Sequence, residues 1–79
     1  MSIKVRYFAS LKETVGRSED VVADTGDLTV ARIWMRLNPD IPLPDNVLMA
    51  LNMAYVSQDE AVKDGDEVAY FPPVTGGLR

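Results

Sequence analysis

Two adjacent glycines, Gly76 and Gly77, stand near the end of a 79-residue chain, after Phe71-Pro72-Pro73-Val74-Thr75 and before Leu78-Arg79. Such residues add nothing to a core and lose more backbone freedom on ordering than any others. What they offer is slenderness, because a backbone without Cβ atoms passes where an ordinary residue would not and adopts dihedrals closed to one. From Pro72 to Gly77 the segment can extend about 20 Å at roughly 3.3 Å per residue, far enough to thread a buried pocket on another protein. This pattern suggests a carrier that delivers its own C-terminus.

The rest of the chain holds little that could act alone. There is no cysteine and no histidine, so a thiol nucleophile, a disulfide framework, and the usual proton shuttle and metal ligand are all missing. Self-contained catalysis is therefore not expected, and neither a bound cofactor nor a metal is implied. Asp59, Glu60, Asp64, Asp66 and Glu67 do not have calcium-loop spacing and read as solvated turns. Met35, Met49 and Met53 read as gap fillers and Trp34 as core. A net charge of -4 argues against nucleic acid and favours partners with a basic surface. The opening Met1-Ser2-Ile3-Lys4-Val5-Arg6 lacks the apolar run of a signal peptide, and no stretch reaches the length of a membrane span. The expectation is one soluble, cytoplasmic domain, with 47% hydrophobic residues supplying a modest core.

Strand signals come first and last, with one clear helix between. Ile3, Val5 and Tyr7 alternate with Lys4, Arg6 and Phe8, the period-two pattern of a half-buried strand. A short helical turn over 9–15 should end at Gly16, and residues 19–23 give a weaker strand around Val21 and Val22. After a turn at Asp24-Thr25-Gly26-Asp27, the spacing of Val30, Ile33, Trp34 and Leu37 predicts a helix with Arg32 and Arg36 outward, capped by Asp27 or Thr29 and stopped at Asn38-Pro39. Residues 47–52 and 54–56 read as short strands meeting in a tight turn near Asn52-Met53, and 67–71 as a last strand that Pro72-Pro73 must end. The order is ββαββ with short extras, an α+β arrangement without internal repeat.

The segment Asp64-Gly65-Asp66-Glu67-Val68-Ala69-Tyr70-Phe71-Pro72-Pro73-Val74-Thr75-Gly76-Gly77 closely resembles the C-terminus of the molybdopterin synthase small-subunit family of ubiquitin-like sulfur carriers. The opening Ile3-Lys4-Val5-Arg6-Tyr7-Phe8-Ala9, followed by Leu11 and Val15-Gly16, is similar to the same family's start. The resemblance implies a β-grasp (ubiquitin-like) fold, with a small mixed sheet packed on one main helix over residues 1–71 and a flexible tail over 72–79. It also implies a mechanism. A carboxylate is a poor electrophile, so an ATP-dependent adenylating enzyme first converts the glycine carboxylate to an acyl-adenylate, which sulfur then attacks. The resulting thiocarboxylate on Gly77, with Gly76 beside it, donates sulfur to a cyclic pterin precursor held by the large synthase subunit, in a heterotetramer. Catalytic groups are expected on that large subunit, and ATP is used only by the activating partner.

Alternation places Phe8 and Phe71 on the outer face of the sheet, and the resemblance makes them and Tyr55 partner contacts, together with Pro72, Pro73, Val74 and Thr75 along the tail. Leu78 and Arg79 depart from the pattern, because the resembled family ends at the second glycine. A trimming peptidase, an addition by cloning, or a paralogue that no longer carries sulfur would each account for them. Two other carriers of Gly-Gly ends stay open beside the main expectation: a thiamine-type sulfur carrier and a ubiquitin-like protein modifier.

Overall fold

The structure, a computed structural model, describes residues 2–73. Its elements are β1 (Ser2–Tyr7), α1 (Ser10–Val15), β2 (Glu19–Ala23), α2 (Val30–Leu37), β3 (Leu48–Leu51), β4 (Ala54–Val56) and β5 (Glu67–Phe71). The strands form one mixed sheet in the order β2-β1-β5-β3-β4. β1 and β5 run parallel at its centre, and the other neighbouring pairs are antiparallel. This is the expected α+β, β-grasp architecture. Three strands follow α2, as the reading of 47–52, 54–56 and 67–71 expected, and the three residues of β4 pair fully with β3. A two-residue turn makes that pairing possible, with Asn52 and Met53 both left-handed (φ 50° and 72°), the twist that suits a tight hairpin.

Period two decides what the sheet buries. Ile3, Val5 and Tyr7 of β1 and Val68 and Tyr70 of β5 point inward and are buried, against Val30, Ile33 and Trp34 of α2. Thr29 caps α2 by accepting the Arg32 amide at 3.2 Å, while Val30 and Ala31 donate to the carbonyls of Glu60 and Gln58. The 57–61 loop thus satisfies first-turn amides that have no partner within the helix. α1 ends as expected at Gly16, whose φ of 85° closes the turn onto the Lys12 carbonyl.

Three aromatic rings fill the centre of the core. Trp34 meets Tyr7 and Tyr70 edge-on, at centroid distances of 5.8 and 5.0 Å. Each polar tip is satisfied: Tyr70 Oη donates to the Val30 carbonyl (2.6 Å), Trp34 Nε1 to the Ile41 carbonyl (2.7 Å), and Tyr7 Oη to Asp20 (3.1 Å). Burial pushes both tyrosine phenols up, keeping them neutral. Asn38 ends α2 as anticipated, but it does more than terminate a helix. Almost wholly buried, it donates to Tyr7 Oη at 3.1 Å and accepts from Arg17 at 2.6 Å, while Arg17 also grips Asp20. The network fastens the start of β2 to the C-terminal end of α2. Among the described residues, no helix is long and apolar enough to cross a membrane.

Candidate functional site

The face of the sheet turned away from α2 carries a second set of aromatic rings. Tyr7 and Tyr70 are register partners across the parallel β1–β5 pair. The next residues, Phe8 and Phe71, therefore emerge side by side on the opposite face. Phe8 continues the ladder by donating its amide to the Tyr70 carbonyl at 3.1 Å, and its ring stacks on Phe71 at 4.7 Å with planes 8° apart. Tyr55, on β4, reaches Phe71 edge-on at 6.2 Å and is 74% exposed. The structure thus brings Phe8, Tyr55 and Phe71 together on one open face.

Their surroundings are apolar with a thin charged rim. The Arg6 guanidinium lies 5.7 Å from the Phe8 ring centre and 3.5 Å from the Glu67 carboxylate. Such an exposed pair adds at most about 1 kcal/mol to stability, and its greater effect is to frame the rings. Arg6, Phe8, Ala50, Met53, Tyr55, Glu67, Ala69 and Phe71 together enclose an open concavity of 320 Å³. No side chain lining it is a nucleophile or a general base poised by a partner.

Pro72 and Pro73 follow directly from β5 and are half-buried. Neither can donate to a ladder, which frees the chain from the sheet at the edge of the aromatic cluster. Val74, Thr75, Gly76, Gly77, Leu78 and Arg79 lie outside the described residues.

Two of the three methionines expected to fill gaps do not. Met49 packs against the core, but Met35 is 56% and Met53 95% exposed. Met53 occupies a two-residue hairpin turn, where side chains project to solvent, and Met35 lies between Arg32 and Arg36 on the outer side of α2. The signal for Met53 was present in the tight turn at Asn52-Met53, since a left-handed turn residue has no core to enter. The acidic residues near the C-terminus serve the turns. Asp66 accepts from Asn52 Nδ2 (3.0 Å) and the Lys63 amide (2.8 Å), and these bonds hold its carboxyl below the usual carboxylate range. Asn52 also exchanges two bonds with the Glu67 backbone, fixing the hairpin turn against the start of β5. Among the described residues, no group of three or more His, Cys, Asp or Glu is arranged to hold a metal.

Comparison with known proteins places the sequence and the fold. The molybdopterin synthase sulfur carrier subunit of Escherichia coli is 44% identical over 80 residues, covering 95% of this chain and 99% of its own. That of Chlamydomonas reinhardtii is 43% identical over 88 residues, covering 98% and 100%. Among solved structures, SAMP1 of Haloferax volcanii, a small archaeal modifier protein, superposes with a TM-score of 0.77 at 31% identity, covering 98% of this chain and 100% of its own. Residues 5–77 match the ThiS family, a span running from the second inward residue of β1 to the second glycine of the tail, and the chain belongs to that family.

Proposed function

We propose that this chain is the sulfur carrier subunit of a molybdopterin synthase, docking through the outer sheet face and presenting Gly77 to its partners. The observation that carries this is the double position of Phe71, at once the end of a central strand and the middle of the exposed aromatic cluster. A protein that grips the cluster thereby fixes where the tail begins, immediately after Pro72 and Pro73. Phe8, Tyr55, Phe71, Pro72 and Pro73 are the contacts on the described part of the chain, and Val74 and Thr75 continue them. Positioning is the carrier's contribution to rate, since a reacting atom misplaced by 1 Å can slow a step about a hundredfold.

The chemistry proceeds on the carboxylate of Gly77 once Leu78 and Arg79 are removed. A carboxylate oxygen attacks the α-phosphorus of ATP on the adenylating enzyme and pyrophosphate leaves. Sulfur at the sulfide level, delivered as hydrosulfide, then attacks the acyl carbon as the C–O bond to AMP breaks, leaving a thiocarboxylate on the glycine with loss of one proton. The large synthase subunit uses that sulfur on the pterin precursor. Gly76 and Gly77 keep the tail narrow through both active sites.

A protein-modifying role is the second reading, favoured by the structural likeness to the archaeal modifier SAMP1. Intact-mass measurement of the protein from its native host separates the two. Replacement of one oxygen by sulfur on a chain ending at Gly77 supports the carrier; an isopeptide to a lysine, with no thiocarboxylate, overturns it. Pyrophosphate exchange with the cognate adenylating enzyme is expected for the form ending at Gly77 and not for the form ending at Arg79. Equal exchange by both forms would refute the trimming step.

A further inference from the structure

The outer face is hollow where a sheet is usually fullest. Across its central strands, one row of outward side chains reads Arg6, Ala69, Ala50, Tyr55, each the register partner of the next. The two middle positions are therefore alanines on adjacent central strands, although alanine is depleted in strands and β-branched or aromatic residues suit such positions better. Phe8 and Phe71 stand on one side of this pair, Glu67 and Met53 on the other, and Arg6 and Tyr55 close the ends. The hollow would be shallower with any larger residue at position 50 or 69.

The Met53 wall is held in place at a cost. Both turn residues are left-handed, with φ 50° at Asn52 and 72° at Met53; asparagine tolerates that region well, but methionine is strained there. Asn52 locks the turn through its bonds to Asp66 and Glu67. Met53 nevertheless retains a long, adaptable, apolar side chain that is 95% exposed.

We infer that the face is a socket, with Ala50 and Ala69 as its floor and Phe71, Phe8 and Met53 as its apolar walls, and that the large synthase subunit inserts a bulky apolar side chain into it. This rests on the docking proposed above and specifies its form: the partner supplies the knob and this chain the hole. The lining favours such an occupant over a small polar ligand, because it offers one exposed ion pair and no convergent set of donors. Its place beside Phe71, where the tail departs, makes the inserted side chain the point from which the reach of Gly77 is measured. Interface anchors of this kind fill pockets at the centre of a contact.

Ala69→Leu decides between a socket and a flat apolar patch. On a flat patch the added methyl groups would leave affinity unchanged or raise it; in a socket they occupy the space of the knob. Titration calorimetry of the full chain with the cognate large subunit should show Ala69→Leu weakened about tenfold or more, with an unchanged melting temperature because the new atoms point away from the core. Met53→Gly gives an independent check, since glycine relieves the turn while removing a wall. It should melt at or above the parent temperature and bind several-fold more weakly, a combination that a purely structural role for Met53 does not produce. Parent affinity in either variant overturns the socket. Phe71→Ala is the control for the reading beneath it: if that variant also binds like the parent, the docking face itself is wrong, whereas a weakened Phe71→Ala beside a normal Ala69→Leu refutes the socket alone.

Discussion

Two sets of three aromatic rings sit back to back across this sheet, and two rings of each set are separated from their counterparts by a single step along the chain. Tyr7 and Tyr70 point inward and pack with Trp34; the next residues, Phe8 and Phe71, point outward and gather with Tyr55. The inner rings carry polar tips, each with a hydrogen-bond partner inside the protein. The outer phenylalanines carry none and leave apolar surface in water. An aromatic ring buried in the core contributes through packing that this chain supplies, whereas one on the open face leaves area that a second protein could cover. The dipeptides Tyr7-Phe8 and Tyr70-Phe71 hold a core residue and the residue proposed for docking side by side, and the pleat separates the two.

Substitution should divide along the same line. Trp34→Ala is expected to have the largest effect, removing about 3–5 kcal/mol of stability because it deletes the ring at the centre of the inner set. Denaturant unfolding measures this, and a loss below about 1 kcal/mol would mean that the inner set is not the core it resembles. Phe71→Ala, on the other face, should change stability by about 1 kcal/mol or less while weakening large-subunit binding by roughly 2 kcal/mol or more. Melting curves beside calorimetry test the contrast. Collapse of the fold with normal binding by the remaining folded protein would erase the distinction between the faces.

The inner face was largely legible in the sequence, and the reason is physical. Ile3, Val5 and Tyr7 alternate in a strand whose two sides meet different solvents, and Val30, Ile33, Trp34 and Leu37 recur at helical spacing, so local order carried the information. Residues 19–23, 30–37 and 67–71 took the conformations that pattern demands. Facts that depend on distant partners were not legible. The buried Asn38 looks like a helix stop in sequence, and only the approach of Arg17 and Tyr7 makes it part of a network. Leu28 and Val62 join the core from loops, where no period marks them. On the outer face, Phe8 and Phe71 could be placed from alternation, but the hollow at Ala50 and Ala69 arises from strand register, and a small residue signals nothing until its neighbours are known. Met53 departs from methionine's usual role as filler because the left-handed turn that holds it has no core to enter.

A smaller test sharpens the comparison at the rim of the outer face. Asp66 has its carboxyl lowered, first by the Asn52 side chain and then by the Lys63 amide. A group depressed in the folded state stabilises above its ordinary value and loses that contribution as pH falls through and below it. Asp66→Asn should therefore flatten the decline of stability between about pH 5 and pH 2, a slight effect because the site is close to solvent. Denaturant melts across that range would show it, and an unchanged slope would mean that the Asn52–Asp66 contact does not brace the turn in solution.

The parallel pairing of β1 and β5 has a mechanical consequence. A partner that holds Gly77 and pulls, whether to draw the tail into a channel or in releasing it, loads the last strand along its own axis. That strand lies between β1 and β3 and is bonded on both sides, so the force meets its hydrogen bonds in shear, many at once, instead of peeling them open one after another. A tail leaving an edge strand would set the same tension against the bonds of one neighbour alone. Rooted in the middle, the last strand would resist such a pull through two neighbours at once, and the domain behind it would stay folded.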